Sequence, residues 1–310
     1  MRGWIIALLT VVAALPACAA GLDDLREAAD SAASGMHEDA IVLYGRALES
    51  QELSPANRIE AYLGRAMEYG IGGQHDRAVA DYDEAIRLGA GYDAYERRGL
   101  AQHNAGRPDK AVADFDAAIR LAQAEPGPYV SRAGAHRAMG ALDKAIADFN
   151  QAVRLRSDSE AMFIGRGKVY FLRAEYLLAI DDFARAVAMA PGISPQVLWL
   201  HLARQRAGQK DHAEFVLNAS RVDFDDWPGQ LIGLHVGRRT LEVVVDAAKW
   251  GSAAEKRLQG CEAPLHLGFY ALNRGATDEA KTRFNAARGA CPATDVEADI
   301  AKAELARLTK

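Results

Sequence analysis

Arg166-Gly167-Lys168-Val169-Tyr170-Phe171-Leu172-Arg173-Ala174-Glu175-Tyr176-Leu177-Leu178-Ala179-Ile180-Asp181-Asp182-Phe183-Ala184-Arg185-Ala186, with Pro191 shortly after it, is the stretch that decides the fold. Small residues fall at Gly167, Ala179 and Ala186, and aromatics at Tyr170, Tyr176 and Phe183. The pattern reads as two helices joined by a tight turn. The distance between packed helices is set by the side chains at their contact, so Gly167 and Ala179 mark a close crossing. Tyr170 and Phe183 fill the space beside it, and Ala186 leaves room for the element that follows.

The same phrase recurs along the chain. The small residue that opens the second helix of each pair is Ala40, Ala78, Ala111, Ala145, Ala179, Ala213 and Ala280. The steps from Ala111 to Ala145, Ala179 and Ala213 are 34 residues each, Ala78 to Ala111 is 33, and Ala40 to Ala78 is 38. Four residues after each marker come Tyr44, Tyr82, Phe115, Phe149, Phe183, Leu217 and Phe284. Three further on come Ala47, Ala85, Ala118, Ala152, Ala186, Ser220 and Ala287. Five before each marker lie Gly35, Gly73, Gly106, Gly140, Ala174, Gly208 and Gly275, where a left-handed cap ends the first helix. A helix–turn–helix unit of this period resembles the tetratricopeptide (TPR) repeat. The expected fold is all-α: a TPR helical-hairpin solenoid with a helical insert and a C-terminal capping helix, each repeat touching its neighbours.

Composition agrees with a folded chain. Of 310 residues half are hydrophobic and a quarter charged, with a net charge of −5. Acidic and basic residues are interspersed, and no basic stripe runs along the sequence, so nucleic acid is excluded as the expected partner.

In chain order, residues 1–19 read as a signal peptide: a positive start at Arg2, an apolar run from Trp4 to Leu15, then Pro16 and a small-residue cluster. Two cuts are open. Ala17-Cys18-Ala19 fits ordinary signal peptidase, and Leu15-Pro16-Ala17-Cys18 resembles a lipobox that would acylate Cys18. Either places the chain outside the cytoplasm, in the periplasm or at the outer membrane, with a lipid anchor as the one expected membrane attachment. Residues 20–221 form a TPR array of about six repeats. Residues 222–260 form a helical insert containing the turn Asp225-Asp226-Trp227-Pro228-Gly229 and a helix from Leu241 to Trp250. Residues 261–310 hold the last repeat and a final helix over 295–308, opened by a capping box of Thr294 and Glu297 and covering the open end of the array.

Few residues promise chemistry. Cys261 and Cys291 bracket the last hairpin, one just before its first helix and one just after its second, so their ends meet and an exported chain would join them as a disulfide. Eight histidines are scattered, none at metal-ligand spacing. Asp181-Asp182 and Asp225-Asp226 are adjacent carboxylates that point apart on a helix, so a solvated face or a turn is the expected role. No nucleophile, metal or phosphate motif is present, and the chain is read as non-enzymatic and without cofactor. The first helix of each pair is expected to line a concave groove. Its facing positions include Leu63, Met67, Glu96, Leu100 and His103, then Val130, Arg137, Ile164, Lys168 and Phe171. This mixed surface suits a helix or an extended peptide.

The segment Asp226-Trp227-Pro228, followed by Cys261-Glu262-Ala263, Leu267-Gly268 and Cys291-Pro292, makes the chain similar to the NlpI-type TPR lipoproteins of Gram-negative bacteria, over most of its length beyond the signal peptide. That resemblance implies an outer-membrane adaptor, often a homodimer, which scaffolds cell-wall hydrolases and brings them to a periplasmic protease. An assembly factor for an envelope or secretion complex is the alternative.

Overall fold

The computed structural model describes residues 17–51 and 53–309. Residues 1–16 and the side chain of Cys18 lie outside the described residues, and with them most of the expected signal segment and the expected lipidation position. Seventeen helices and no strand occur among the described residues, and none of these helices is long and apolar enough to cross a membrane. The chain divides into two compact units, residues 1–101 and 102–310.

In the first unit, α1 (Ala17–Ala33) pairs with α2 (His37–Glu49), and α3 (Pro55–Ile71) with α4 (His75–Arg87). Helix α5 (Tyr92–Asn104) begins the next hairpin. The second unit contains α6 (Pro108–Leu121), α7 (Gly127–Ala138), α8 (Leu142–Leu155), α9 (Glu160–Leu172) and α10 (Tyr176–Met189). After these come α11 (Ser194–Arg206) and α12 (His212–Ala219). The insert supplies α13 (Gly229–His235) and α14 (Leu241–Ala247), and the chain closes with α15 (Ala253–Asn273), α16 (Thr277–Ala290) and α17 (Val296–Arg307).

The markers behave as the steric argument requires. Ala40, Ala78, Ala111, Ala145, Ala179 and Ala280 are wholly buried, and so are the alanines seven residues on. A side-chain carbon at Gly167 would stand 2.8 Å from the Phe183 ring, and one at Gly268 would stand 2.6 Å from the Phe284 ring. The same glycine-under-ring contact therefore builds α9–α10 and α15–α16. All seven cap positions adopt positive φ, from 61° at Ala174 to 75° at Gly35.

A second periodic device holds the hairpins, and sequence reading missed it. Arg65, Arg132 and Arg166 each donate two hydrogen bonds to an aspartate 16 residues later: Asp81, Asp148 and Asp182, at 2.6–2.9 Å. Two of them also reach back 16 residues, Arg132 to Asp116 at 2.5 Å and Arg166 to Asn150 at 2.7 Å. One guanidinium thus ties the second helix of its own hairpin to that of the hairpin before, using the planar fork that lysine lacks. Asp182, read as a solvated or turn residue, is instead buried in this bridge.

The register of α12 and the starts of α15 and α17 differ from expectation. In the sixth hairpin Ala213, Leu217 and Ser220 are exposed, while Phe215 and Ala219 are buried. The register has moved by two because Phe215 stacks on His201, ring centroids 3.7 Å apart, and Asp211 pairs with the same histidine at 2.8 Å. Helix α15 begins at Ala253 and passes through position 260, so Cys261 lies inside a helix rather than before it. The capping box falls at its start, between Ser252 and Glu255. Thr294 and Glu297 form none: Asp295 is the N-cap of α17, without a side-chain cap bond, and Glu297 is engaged elsewhere.

Candidate functional site

The expected groove residues of the first unit are Leu63, Met67, Glu96 and Leu100. Met67 and Leu100 are exposed, 39% and 40%, while Leu63 packs partly against Ala66, Ala78 and Tyr82, and Glu96 is half-buried. An exposed methionine and leucine on first helices are the adaptable apolar contacts a peptide-binding face uses.

In the second unit His103, Val130, Arg137, Ile164 and Lys168 stand on first helices, but Phe171 does not belong to a binding surface. Its ring is wholly buried, edge-on to Trp199 at 5.5 Å and to Phe269 at 5.5 Å. At the twelfth helical position of this hairpin the ring turns inward because α11 and α15 supply an aromatic socket for it. Val130 and Ile164 are half-buried against their own cores. Burial and the nearby Arg137 charge push the His103 imidazole below its ordinary range.

The remaining cations are engaged by the chain itself. Helix α17 does not simply cover the end of the array; it lies along α9 and α7 as well as against α15 and α16. Lys168 donates to Glu297 at 2.6 Å. Arg137 donates to the Asp299 carboxylate and to the Thr294 carbonyl. Further along, Arg206 pairs with Glu304 at 3.0 Å and Arg307 donates to the Leu172 carbonyl at 2.6 Å. Ile300 and Ala301 are wholly buried on the apolar side of the same helix. Burial raises Glu297, but the charge and hydrogen bond of Lys168 outweigh it and hold that carboxylate below its ordinary range. Asp295 and Asp299 go the other way, pushed up by burial, with neighbouring Arg137 only partly compensating.

A cavity of about 270 Å³ remains beside the first turn of α17, lined by Gly134, Arg137, Phe149, Gly165, Lys168 and Glu297 among others. Gly134 faces open space. A second cavity, about 650 Å³, lies in the insert between Trp227, Trp250 and Glu255. Here Asp225 holds Arg239, and the Trp227 indole N–H donates to Glu262 at 2.7 Å, so the expected turn is internally tied.

Cys261 and Cys291 form a disulfide, sulfurs 2.10 Å apart, which staples α15 to the end of α16 just before α17 begins. His136, His201 and His266 are buried. His266 lies edge-on to Trp199 and is pushed down to about 3 by burial, with Glu297 opposing and Lys168 adding to that shift.

Residues 59–88, 92–125 and 127–159 match the model of the tetratricopeptide repeat. A comparison with curated proteins finds no match. Among solved structures, a tetratricopeptide repeat protein from Parabacteroides merdae is 13% identical and aligns over 92% of this chain and 98% of its own, with a TM-score of 0.61. The C-terminal part of a TPR repeat-containing protein from Cytophaga hutchinsonii is 17% identical over 86% and 95%, with a TM-score of 0.54. The pilF protein of Pseudomonas aeruginosa is 14% identical over 71% and 97%, with a TM-score of 0.55. At such identities the likeness speaks for the fold, which is that of tetratricopeptide-repeat proteins.

Proposed function

We propose that this chain is a non-enzymatic, protein-binding scaffold of the bacterial envelope, exported to the periplasm or held at the outer membrane through Cys18. Tetratricopeptide repeats present first-helix faces to peptides and helices of other proteins, and the face built by α7 and α9 carries the reading here. It already grips a helix, with Arg137 and Lys168 as its cations. The signal segment and the Cys261–Cys291 disulfide suit an oxidising compartment outside the cytoplasm. With the resemblance to NlpI-type lipoproteins, the adaptor role is the most specific form of the proposal: cell-wall hydrolases brought to a periplasmic protease, by a homodimer in that family.

Crosslinking in the native host followed by mass spectrometry tests it. Adducts to peptidoglycan hydrolases or a periplasmic protease are expected. Adducts confined to the subunits of one export channel would replace the adaptor with an assembly factor, and a purified chain that cleaves peptidoglycan unaided would end the scaffold reading.

A further inference from the structure

The groove of the second unit is occupied by the chain's own terminal helix, and the way it is held says what a partner must look like. Helix α17 opens with Glu297 and Asp299, two carboxylates two residues apart, and follows them with Ile300 and Ala301. The carboxylates meet Lys168 and Arg137, and the apolar pair fills the space behind. Arg137 is only 8% exposed, so α17 covers a cation that the array would otherwise show to solvent. We propose that α17 is a resident stand-in for an acidic, amphipathic helix of a partner protein, which binds between α7 and α9 by displacing it. The proposal rests on the scaffold reading above and names both the partner chemistry and its regulation.

Two further observations carry it. The cavity beside its first turn, lined by Gly134, Arg137 and Lys168, leaves unfilled space next to the helix as a foothold for an incoming segment. The disulfide fixes Cys291 just ahead of α17, so a released helix stays near the groove. A tethered ligand competes at an effective concentration on the order of millimolar. Weak acidic peptides are then excluded, and only a segment that also buries an apolar face succeeds. Burial holds Asp295 and Asp299 above their ordinary range, so these two carboxylates are held at a cost to their charged forms.

The test uses the full chain and a fluorescent peptide of residues 294–310 as probe. Glu297→Lys with Asp299→Lys should unlock the groove by setting like charges against Lys168 and Arg137. The unlocked chain is expected to bind the peptide about ten-fold or more tightly than wild type, and adding Lys168→Glu and Arg137→Glu should abolish that binding. Equal, weak binding to wild type and the unlocked chain overturns the proposal. So does a dimer formed on unlocking without peptide uptake, which would make a second copy the occupant. Should the unlocked chain fail to fold, hydrogen exchange on wild type decides. The amides of α17 are expected to open well before those of α16, and exchange only with global unfolding would make α17 a permanent part of the core. The two readings fail separately. Envelope partners still captured by the Lys168→Glu, Arg137→Glu chain leave the scaffold standing and remove this groove, whereas no partner for any form removes both.

Discussion

Removing one half of the Arg166–Asp182 bridge should damage the array far more than its surface ion pairs would suggest. The Asp182 side chain is only 4% exposed and that of Arg166 14%, and the two share hydrogen bonds at 2.8 and 2.6 Å. Asp182→Ala leaves a half-buried guanidinium held only by the Asn150 side chain and the face of the Phe163 ring. Breaking a buried pair this way costs about 3–5 kcal/mol, most of it the uncompensated charge. The exposed pair of Arg87 and Glu84 sets the comparison, and its loss should leave the stability nearly unchanged because solvent screens it. Replacing both partners, Arg166→Met with Asp182→Leu, should recover most of the loss, because an apolar pair carries no desolvation penalty. Denaturant melts followed by far-UV circular dichroism read the three variants, with hydrogen exchange across α9 and α10 reporting the local effect. A loss below about 1 kcal/mol for Asp182→Ala, or a double variant no better than the single one, would refute the claim that a desolvated bridge ties hairpin to hairpin.

Other outcomes follow from the same geometry. Ala174 adopts φ 61° where six sister positions carry glycine, so Ala174→Gly should stabilise by roughly 1 kcal/mol in a thermal melt, the strain of a left-handed L-residue being removed. Reducing Cys261–Cys291 opens a loop of separation 30 and should cost about 3–4 kcal/mol by the chain-entropy model, read as a lower denaturation midpoint in reductant. His266 is held neutral, its ordinary value of 6.5 lowered to about 3, so the unfolded chain binds the extra proton first. Its contribution is full above about pH 6.5 and is lost as pH falls toward 3, and His266→Gln should flatten that part of the stability curve.

Much of the fold was legible in sequence because its rules are local and steric. A backbone crossing needs alanine or glycine, and a hairpin turn needs a left-handed cap, so Ala179 and Gly140 announce themselves. The disulfide was legible because a helical hairpin brings its ends together. The arginine–aspartate bridges were also written in the sequence, as Arg132 and Arg166 each 16 residues before an aspartate, but a charged pair leaves no mark in hydrophobic spacing, and Asp182 beside Asp181 has the look of a surface pair. The slip of α12 turned on the tertiary competition between Leu217 and Phe215, won by the ring that could stack on His201. The cap of α15 lay in Ser252 and Glu255, at capping-box spacing but well ahead of Cys261, where the repeat period puts the start of the last hairpin. Where α17 lies could not be read, because its partners Arg137 and Lys168 are more than a hundred residues away. Phe171 turned from a groove residue into a core one through Trp199 and Phe269, rings on later helices that the repeat frame alone does not place.

The central claim is that other proteins bind on the first-helix face of the second unit. A photo-crosslinking residue placed at Gly134, which faces open space beside Arg137 and Lys168, reports that face directly in the native host. The same residue at Leu177, exposed at the start of α10, serves as the control on a second helix. The account predicts a protein adduct at position 134 and none at 177. Equal labelling at both positions, or an adduct at 177 alone, would contradict it.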